Sequence, residues 1–368
     1  MLSLATALSN TDRFRVDVVF AAELLTLNGR TRFPFGFHVL DEQSPLGESD
    51  SLALGLSPLS YGRHMYSCRQ FAHTIVSCDV LIERMWGFGG WLARFLRPRV
   101  LLLEENGPLS RADTKDRSFA MLRDLYVRLS HRMIRQTYAS ADAIVVQNPT
   151  LAELLRREFG ADRERVAVIP NGSASAPVTP ASRAELGWPK SSLVMIYAGM
   201  LDDAHDIEPV LKALAQLERK DLQLVVYGGG PHEEKLRAMG TPHTKFCAPV
   251  SRQELAPLLR AADIGIAPYG ARAFDGDRFL FSSLKVEEYR AASLYTIVTR
   301  GALSSNTTSP SLVQIPNTTE DWLETLRALP ERSELPKPPM LARGLSWDDV
   351  AARYVDLIDR VLRPVVMA

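Results

Sequence analysis

A lysine and a glutamate, Lys285 and Glu288, stand one helical turn apart in residues 284–292, whose composition predicts a helix. Lys285 lies near the start of that helix, where its charge and the free backbone amides both favour an anion such as phosphate. Glu288 follows one turn later, so both side chains should face the same side. The alternative is a surface helix with an ordinary Lys–Glu pair.

Two predicted strands run into glycine turns, where the backbone can come close to a ligand. Residues 192–199 end at Gly199, and residues 222–230 end in the run from Gly228 to Gly230. Either turn alone is as consistent with a simple tight turn as with a binding loop.

Acidic residues end a predicted strand in the N-terminal half, where Glu104 and Glu105 precede Asn106. Because ligands of open parallel sheets bind beyond the carboxyl ends of the strands, we expect these side chains near a bound substrate. A solvated strand end before the Gly107–Pro108 turn is the alternative. The pattern does not choose between the two glutamates.

Short runs rich in Val, Ile and Leu alternate with helical segments along the chain, as in parallel sheets buried on both faces. The predicted strands are 16–20, 78–84, 99–106, 141–148, 165–172, 192–199, 222–230, 245–250, 263–270 and 294–300. The predicted helices are 117–140, 150–160 (ending on Gly160), 207–218, 232–240, 252–262, 284–292 and 346–362. Two successive βαβ series predict two doubly wound α/β domains.

The predicted domains are residues 1–165, residues 166–345, and a final helical segment over residues 346–368. The chain opens with MLSLATALS, which indicates a helix. A doubly wound domain normally opens with a strand and a glycine-rich turn, so we expect the N-terminal domain to lack its first strand.

The bulk composition excludes several classes of protein. Lys+Arg and Asp+Glu both total 43 among 368 residues, so the basic excess of a nucleic-acid binder is missing. Three scattered cysteines predict neither a disulfide framework nor a zinc site. No signal peptide or membrane span is predicted, which favours the cytoplasm. Attachment of the arginine-rich helix 117–140 to the inner face of a membrane stays an open alternative.

Residues 281–300, FSSLKVEEYRAASLYTIVTR, resemble the F-S-P-L-K-x-x-E-Y-x-A-A-G-x-P-V-V segment of glycosyltransferase family 4. Further resembling stretches follow the family's order over 166–172, 188–201, 225–231, 258–269 and 346–362. The resemblance implies a GT-B fold, in which two Rossmann-like domains face a cleft. It also implies that the final helix packs back on the N-terminal domain.

By position, the resemblance implies that Lys285 meets the diphosphate of a nucleotide-sugar donor and Glu288 its ribose. The other implied donor contacts are Gly199, Met200, His205, Gly228, Gly230, Tyr269, Ser283 and Leu284. Residues 79–109 resemble a stretch of some family members, which implies that Glu104 or Glu105 acts near the acceptor or the anomeric carbon.

The resemblance implies a bacterial, hexosyltransferase-like enzyme of polysaccharide biosynthesis. The implied reaction requires neither a metal ion nor a cofactor. Its donor would be a UDP-, GDP- or dTDP-sugar, and its acceptor a glycan, a lipid-linked group or a small molecule. Two other classes stay open: a degenerate GT-B protein that binds a nucleotide or a partner without turnover, and a GT-B nucleotide-sugar epimerase.

The sequence departs from the family at several charged positions. Leu280 stands at the position of the first Glu of the family's E-x7-E motif. Met200 and His205 stand at the positions of the usual Arg and Lys of the donor domain. We therefore expect Lys285 to carry more of the leaving-group charge, with help from Arg272 or Arg278.

The stereochemistry also stays open. The family implies retention at the anomeric carbon, whereas inversion would require a general base, for which Glu104, Glu105 and Asp113 are candidates. The Asp-Gly-Asp at 275–277 is predicted to be a loop rather than a metal site.

Overall fold

The structure is a computed structural model. It describes residues 2–21, 36–40, 78–84, 99–106, 120–173, 178–279, 283–303, 309–336 and 345–362. The chain divides into two compact units: unit 1 comprises residues 1–170 and 347–368, and unit 2 comprises residues 171–346. Each unit is an α/β structure on parallel strands, as predicted.

Unit 1 contains a parallel four-stranded sheet in the order β3-β4-β5-β6 and a parallel pair β1-β2. Its strands are β1 (Asp17–Ala21), β2 (Gly36–Leu40), β3 (Val80–Arg84), β4 (Val100–Glu105), β5 (Ala143–Val146) and β6 (Val166–Val168). Its helices are α1 (Leu2–Ser9), α2 (Ala120–Ser140), α3 (Pro149–Phe159) and, after unit 2, α9 (Trp347–Leu362). Strand β2 is absent from the sequence-based prediction, and within the described residues β1 and β2 pair only with each other.

The ends of α3 follow from local sequence. The Asn148 side chain accepts a hydrogen bond from the Leu151 amide at 2.7 Å, which satisfies a free donor of the first turn. Gly160 ends the helix in the left-handed conformation at φ 66°, as predicted. In the same unit, α9 packs against α1, and Arg13 forms an ion pair with Asp359 at 2.9 Å.

Unit 2 contains a parallel six-stranded sheet in the order β14-β13-β10-β7-β8-β9. Its strands are β7 (Leu193–Ala198), β8 (Leu222–Tyr227), β9 (Thr244–Cys247), β10 (Ile264–Ala267), β13 (Tyr295–Thr299) and β14 (Leu312–Ile315). A small antiparallel hairpin pairs β11 (Phe274–Asp275) with β12 (Arg278–Phe279). The helices are α4 (Glu208–Ala215), α5 (Glu233–Ala238), α6 (Arg252–Ala261), α7 (Leu284–Ala291) and α8 (Thr319–Ala328).

Alternate residues of β7 supply two cores, one on each face of this sheet. Leu193, Met195 and Tyr197 join the core with α4 and α8, whereas Val194 and Ile196 join the core with α6 and α7. This explains the run of apolar residues in β7, since both faces are covered.

The structure corrects the predicted end of the unit 2 series. The series does not close with the strand at 294–300, because β14 and α8 follow. The β14 edge strand is only partly buried, so its apolar signal is weak. The Asp-Gly-Asp segment forms the turn of the β11–β12 hairpin, with Gly276 at φ 64°. None of the helices in the described ranges is both long and apolar enough to cross a membrane.

Candidate functional site

Tyr289 attaches helix α7, which carries Lys285 and Glu288, to the unit 2 sheet through two hydrogen bonds. The buried Tyr289 hydroxyl accepts from the Ala198 amide and donates to the Ile266 carbonyl, both at 3.2 Å. Gly265 makes room for the ring, because a Cβ at this position would stand 2.4 Å from it. The helix therefore starts beside the carboxyl ends of β7 and β10, where ligands of open α/β sheets bind.

Ser283, which replaces the family's proline, caps α7. Its hydroxyl oxygen accepts from the Val286 amide at 3.3 Å and from the hydroxyl of Tyr269. Leu284, half-buried, begins the helix. The substitution thus keeps the helix start and ties it to Tyr269, which follows β10.

Lys285 is buried against two aromatic rings. Its Nζ lies 4.4 Å from the ring centroid of Tyr197 and 5.3 Å from that of Tyr269, and it donates to the Tyr197 hydroxyl at 3.3 Å. Burial lowers its pKa to about 7, although the charges of Asp202 and Glu288 oppose the shift. The aromatic faces favour the cation, but an anionic ligand would stabilise it far more.

The glycine turns after β7 and β8 pack backbone against backbone. A Cβ on Gly228 would lie 2.0 Å from the Gly199 carbonyl oxygen, and one on Gly230 would lie 2.5 Å from the Leu201 carbonyl oxygen. A Cβ on Gly199 would lie 3.0 Å from Lys285 Nζ, and Gly199 has φ 151°, a conformation that favours glycine. The absence of a side chain on Gly199 therefore leaves room for the Lys285 ammonium group beside the main chain.

The loop after Gly199 is organised by Asp202. Its Oδ1 accepts from the amides of Ala204 and His205 at 3.0 and 2.9 Å and lies 2.9 Å from His205 Nδ1. Burial raises the pKa of the Asp202 carboxyl group. The hydrogen bonds from His205 and Ala204 outweigh this effect and lower the pKa to about 2. The His205 ring packs on Tyr269, with the centroids 5.5 Å apart.

Glu288 lies on α7 with a basic partner from α6. Arg252 Nε stands 3.5 Å from Glu288 Oε1, and the Glu288 side chain keeps about a fifth of its surface exposed. Burial raises the pKa of Glu288, while Arg252 and Lys285 lower it. The carboxylate can thus accept hydrogen bonds from a ligand hydroxyl.

Arg272 and Arg278 are the two cations that we expect to assist Lys285. Arg272 Nε lies 3.1 Å from Asp203 Oδ2, and Arg278 is exposed in the hairpin. Met200 is 53% exposed, and its carbonyl accepts from Tyr197. Leu280 and Asp113 lie outside the described residues.

The two candidate glutamates of unit 1, Glu104 and Glu105, have different environments. Glu105 is fully buried and accepts from the Tyr138 hydroxyl at 2.7 Å, which indicates a structural role. Glu104 accepts from Asn106 Nδ2 at 3.3 Å through Oε1, while its buried Oε2 has no partner in the described part of the chain. Glu104 is therefore the better candidate for a ligand contact.

The structure brings most of the predicted donor residues together in unit 2, around Lys285. The sequence-based prediction missed Tyr197, Asp202, Arg252 and Tyr289 as parts of this site. Two signals were available, because Tyr197 stands two positions before Gly199 and Tyr289 directly follows Glu288 in the resembling segment. Across the described ranges, no group of three or more His, Cys, Asp or Glu residues could hold a metal ion.

The architecture is similar to that of solved glycosyltransferases. Sucrose-phosphate synthase from Thermosynechococcus elongatus matches with a TM-score of 0.76 at 18% identity, over 97% of this chain and 91% of that one. Anabaena HepE, solved with UDP and glucose, matches with a TM-score of 0.65 at 12% identity, over 97% and 95%. The class is therefore the two-domain, Rossmann-like GT-B fold, as predicted.

Family models agree with this class. Residues 192–331 match the model described as glycosyl transferases group 1, and residues 63–172 match the glycosyl transferase 4-like domain. The chain belongs to the GT-B glycosyltransferases of group 1, the family 4-like enzymes.

Curated relatives include D-inositol 3-phosphate glycosyltransferases. That of Streptomyces avermitilis is 28% identical over 220 residues, 52% of this chain and 45% of the relative. That of Kineococcus radiotolerans is 26% identical over 258 residues, 62% of this chain and 59% of the relative. The matching stretch spans about half the length of these relatives.

Proposed function

We propose that this protein transfers a sugar from a nucleotide-sugar donor, held by unit 2, to a hydroxyl group of an acceptor. The observation that carries the proposal is the burial of Lys285 without an ion-pair partner among the described residues. Lys285 is buried beside glycine backbone at the first turn of α7, and no ion pair of the described residues includes it. A buried ammonium group without a carboxylate partner is costly in the free protein, so its charge suits a ligand phosphate.

The chemistry follows from charge development. As the bond between the anomeric carbon and the β-phosphate oxygen breaks, negative charge grows on the departing nucleoside diphosphate. Lys285 and the amides at the start of α7 stabilise that charge. The acceptor hydroxyl adds to the anomeric carbon, and its proton passes to the departing diphosphate. Glu288 accepts hydrogen bonds from the ribose hydroxyls. Because these protein groups supply the positive charge, the proposed reaction needs no metal ion and no cofactor.

Two comparisons suggest the first substrates to test. Solved structures of HepE hold UDP-glucose or UDP with glucose, which supports UDP-glucose as the donor, with GDP- and dTDP-sugars as the alternatives. Several relatives are named for inositol 3-phosphate, which supports a polyol phosphate as the acceptor. Glycans and lipid-linked groups are the other acceptors to test.

The test incubates the purified protein with each nucleotide sugar and acceptor, with and without EDTA, and measures the released nucleoside diphosphate. Parent protein should release it in both conditions, Lys285→Ala should lose most turnover, and exposed Lys245→Ala should behave like the parent. Donor binding without release would indicate the degenerate GT-B class, and conversion of the donor without release an epimerase. Either result would overturn the proposal.

The proposed location is the cytoplasm, with peripheral contact to a membrane through α2. Arg128, Arg132 and Arg135 are exposed at helical spacing on this helix, so they form one basic face. Co-sedimentation with anionic vesicles at low salt, lost at high salt and in the triple alanine variant, is the expected result. Salt-independent sedimentation or none would refute the contact.

A further inference from the structure

Lys285 and Glu288 stand at a spacing that normally brings opposite charges together. Residues three apart on a helix are neighbours on its surface, so an ion pair between them is the expected arrangement. The structure shows different partners for both side chains. Lys285 Nζ donates to the Tyr197 hydroxyl at 3.3 Å, whereas Glu288 Oε1 lies 3.5 Å from Arg252 Nε. Within the ranges that the structure describes, Lys285 has no ion-pair partner.

Arg252 approaches Glu288 from the neighbouring helix. Helices α6 and α7 pack against each other, and Arg252 is the first residue of α6. A capping box fixes this helix start. The Ser251 hydroxyl accepts from the Glu254 amide at 3.3 Å, and the Ser251 amide donates to Glu254 Oε2 at 2.8 Å. The backbone of Arg252 therefore has a defined position beside α7.

Stability alone does not account for an arginine at this position. The Arg252 side chain is 50% exposed, and ion pairs at such exposure add little to the stability of a fold. A cation in the first turn of a helix also opposes the helix dipole, which favours acidic residues there. The effect that remains is on the Glu288 carboxylate, which Arg252 holds on the α6 side.

The direction of this carboxylate decides which charges a ligand meets. If Glu288 turned to Lys285, it would neutralise the ammonium group, and one ion pair would remove both side chains from ligand binding. The charges of the two residues already act on each other's pKa. With Glu288 on Arg252, the cation and the carboxylate stay available as two separate contacts.

We propose that Arg252 is a positioning residue of the donor site, which holds the Glu288 carboxylate for the ribose and away from Lys285. This inference rests on the proposed function, because it deepens the roles given there to Lys285 and Glu288. It assigns a task to a residue that no sequence motif singled out.

The experiment is calorimetry of the full chain with UDP and 2′-deoxyuridine diphosphate as probes. Arg252→Met should weaken UDP binding about tenfold and remove most of the discrimination against the deoxy probe, since the carboxylate no longer faces the ribose. Arg252→Lys keeps a cation and should restore most of both. Arg260→Met removes an arginine at the opposite end of α6, so this control should bind like the parent.

The pH dependence separates positioning from a weakened helix. In the parent, UDP affinity should fall above about pH 7, where Lys285 loses its proton. In Arg252→Met, Glu288 pairs with Lys285 and raises its pKa, so the fall should begin about one pH unit higher. A weakened α6 would lower the affinity without moving this pH.

The other titratable groups around Lys285 and Glu288 do not change charge in this pH range. Asp202 also acts on Lys285, but its pKa is about 2, so it stays ionised. The phenols of the neighbouring tyrosines keep their protons because burial raises their pKa; these are Tyr197, Tyr269 and Tyr289.

A second pair of proteins tests whether Arg252 acts through Glu288. In a Glu288→Gln background no carboxylate is left to redirect, so Arg252→Met should change neither the UDP affinity nor its pH dependence. An equal loss in both backgrounds would overturn the positioning role. So would parent-like affinity and discrimination in Arg252→Met, or a loss of affinity that leaves its pH dependence unmoved.

These outcomes are distinct from a failure of the proposed function. The calorimetry needs no acceptor and no turnover. A protein that shows the expected effects of Arg252 on UDP binding but releases no nucleoside diphosphate from any nucleotide sugar would overturn the proposed function alone.

Discussion

Replacing Lys285 by methionine should stabilise this protein while it removes donor binding. The ammonium group is buried, and its pKa falls from 10.5 to about 7 because burial disfavours the charge more than Asp202 and Glu288 favour it. One pKa unit corresponds to about 1.4 kcal/mol, so protonated Lys285 costs the folded state roughly 5 kcal/mol. Methionine is of similar length and can fill the same space without a charge.

The pH dependence has a definite sign. Below about pH 7, Lys285 is protonated in the folded and the unfolded chain, so the full cost is present. As the pH rises toward 10.5, the folded chain loses its proton first, and the cost declines. At about pH 9 roughly 2 kcal/mol of it is left. The stability advantage of Lys285→Met should therefore shrink by about 3 kcal/mol between about pH 6 and pH 9.

Urea unfolding of parent and variant at both pH values measures this difference, because groups common to both proteins cancel. Lys245→Met, an exposed lysine of the same unit, is the control and should change stability little and equally at the two pH values. A difference between parent and Lys285→Met that is the same at both pH values would refute a desolvated lysine.

Four further results are expected. Affinity for UDP-glucose should fall as the pH rises above about 7, since binding then requires protonation of Lys285; calorimetry in two buffers should detect proton uptake, and pH-independent affinity would contradict it. Glu288→Ala should weaken UDP binding and abolish discrimination against 2′-deoxyuridine diphosphate, and equal discrimination in parent and variant would exclude the ribose contact. Gly228→Ala should disrupt the donor turn, because the new Cβ would stand 2.0 Å from a backbone oxygen; normal UDP affinity and stability would show that this packing is wrong. Tyr138→Phe should lower the free energy of unfolding by about 1.5–3 kcal/mol, since it removes a hydrogen bond to buried Glu105; an unchanged urea midpoint would argue against that bond.

The sequence predicted the elements that its local patterns determine. The buried strands of unit 2 were readable as apolar runs, and Gly160 was readable as a helix end, because burial on both faces and a left-handed cap each demand particular residue types. The edge strand β14 and helix α8 were missed, since a partly buried strand carries a weak apolar pattern.

The candidate site was predictable only where its residues are close in sequence. Lys285 and Glu288 are a helical turn apart, so their common side follows from helix geometry alone. Their donor contacts stay predictions. Arg252 lies on another helix, α6, and pairs with Glu288. Residue spacing within either helix does not predict this pair.

The alternation of elements and the identity of the charged residues near helix and strand ends follow from the amino-acid sequence alone. The environment of those charges depends on the folded chain. Tyr197 in β7 and Tyr269 in the loop after β10 both contact Lys285. Tyr138 donates to Glu105, whereas Glu104 Oε2 has no partner in the described part of the chain. Desolvation and hydrogen-bond satisfaction depend on atoms that are distant along the chain and close in space, so they emerge only when the sheet and its helices are assembled.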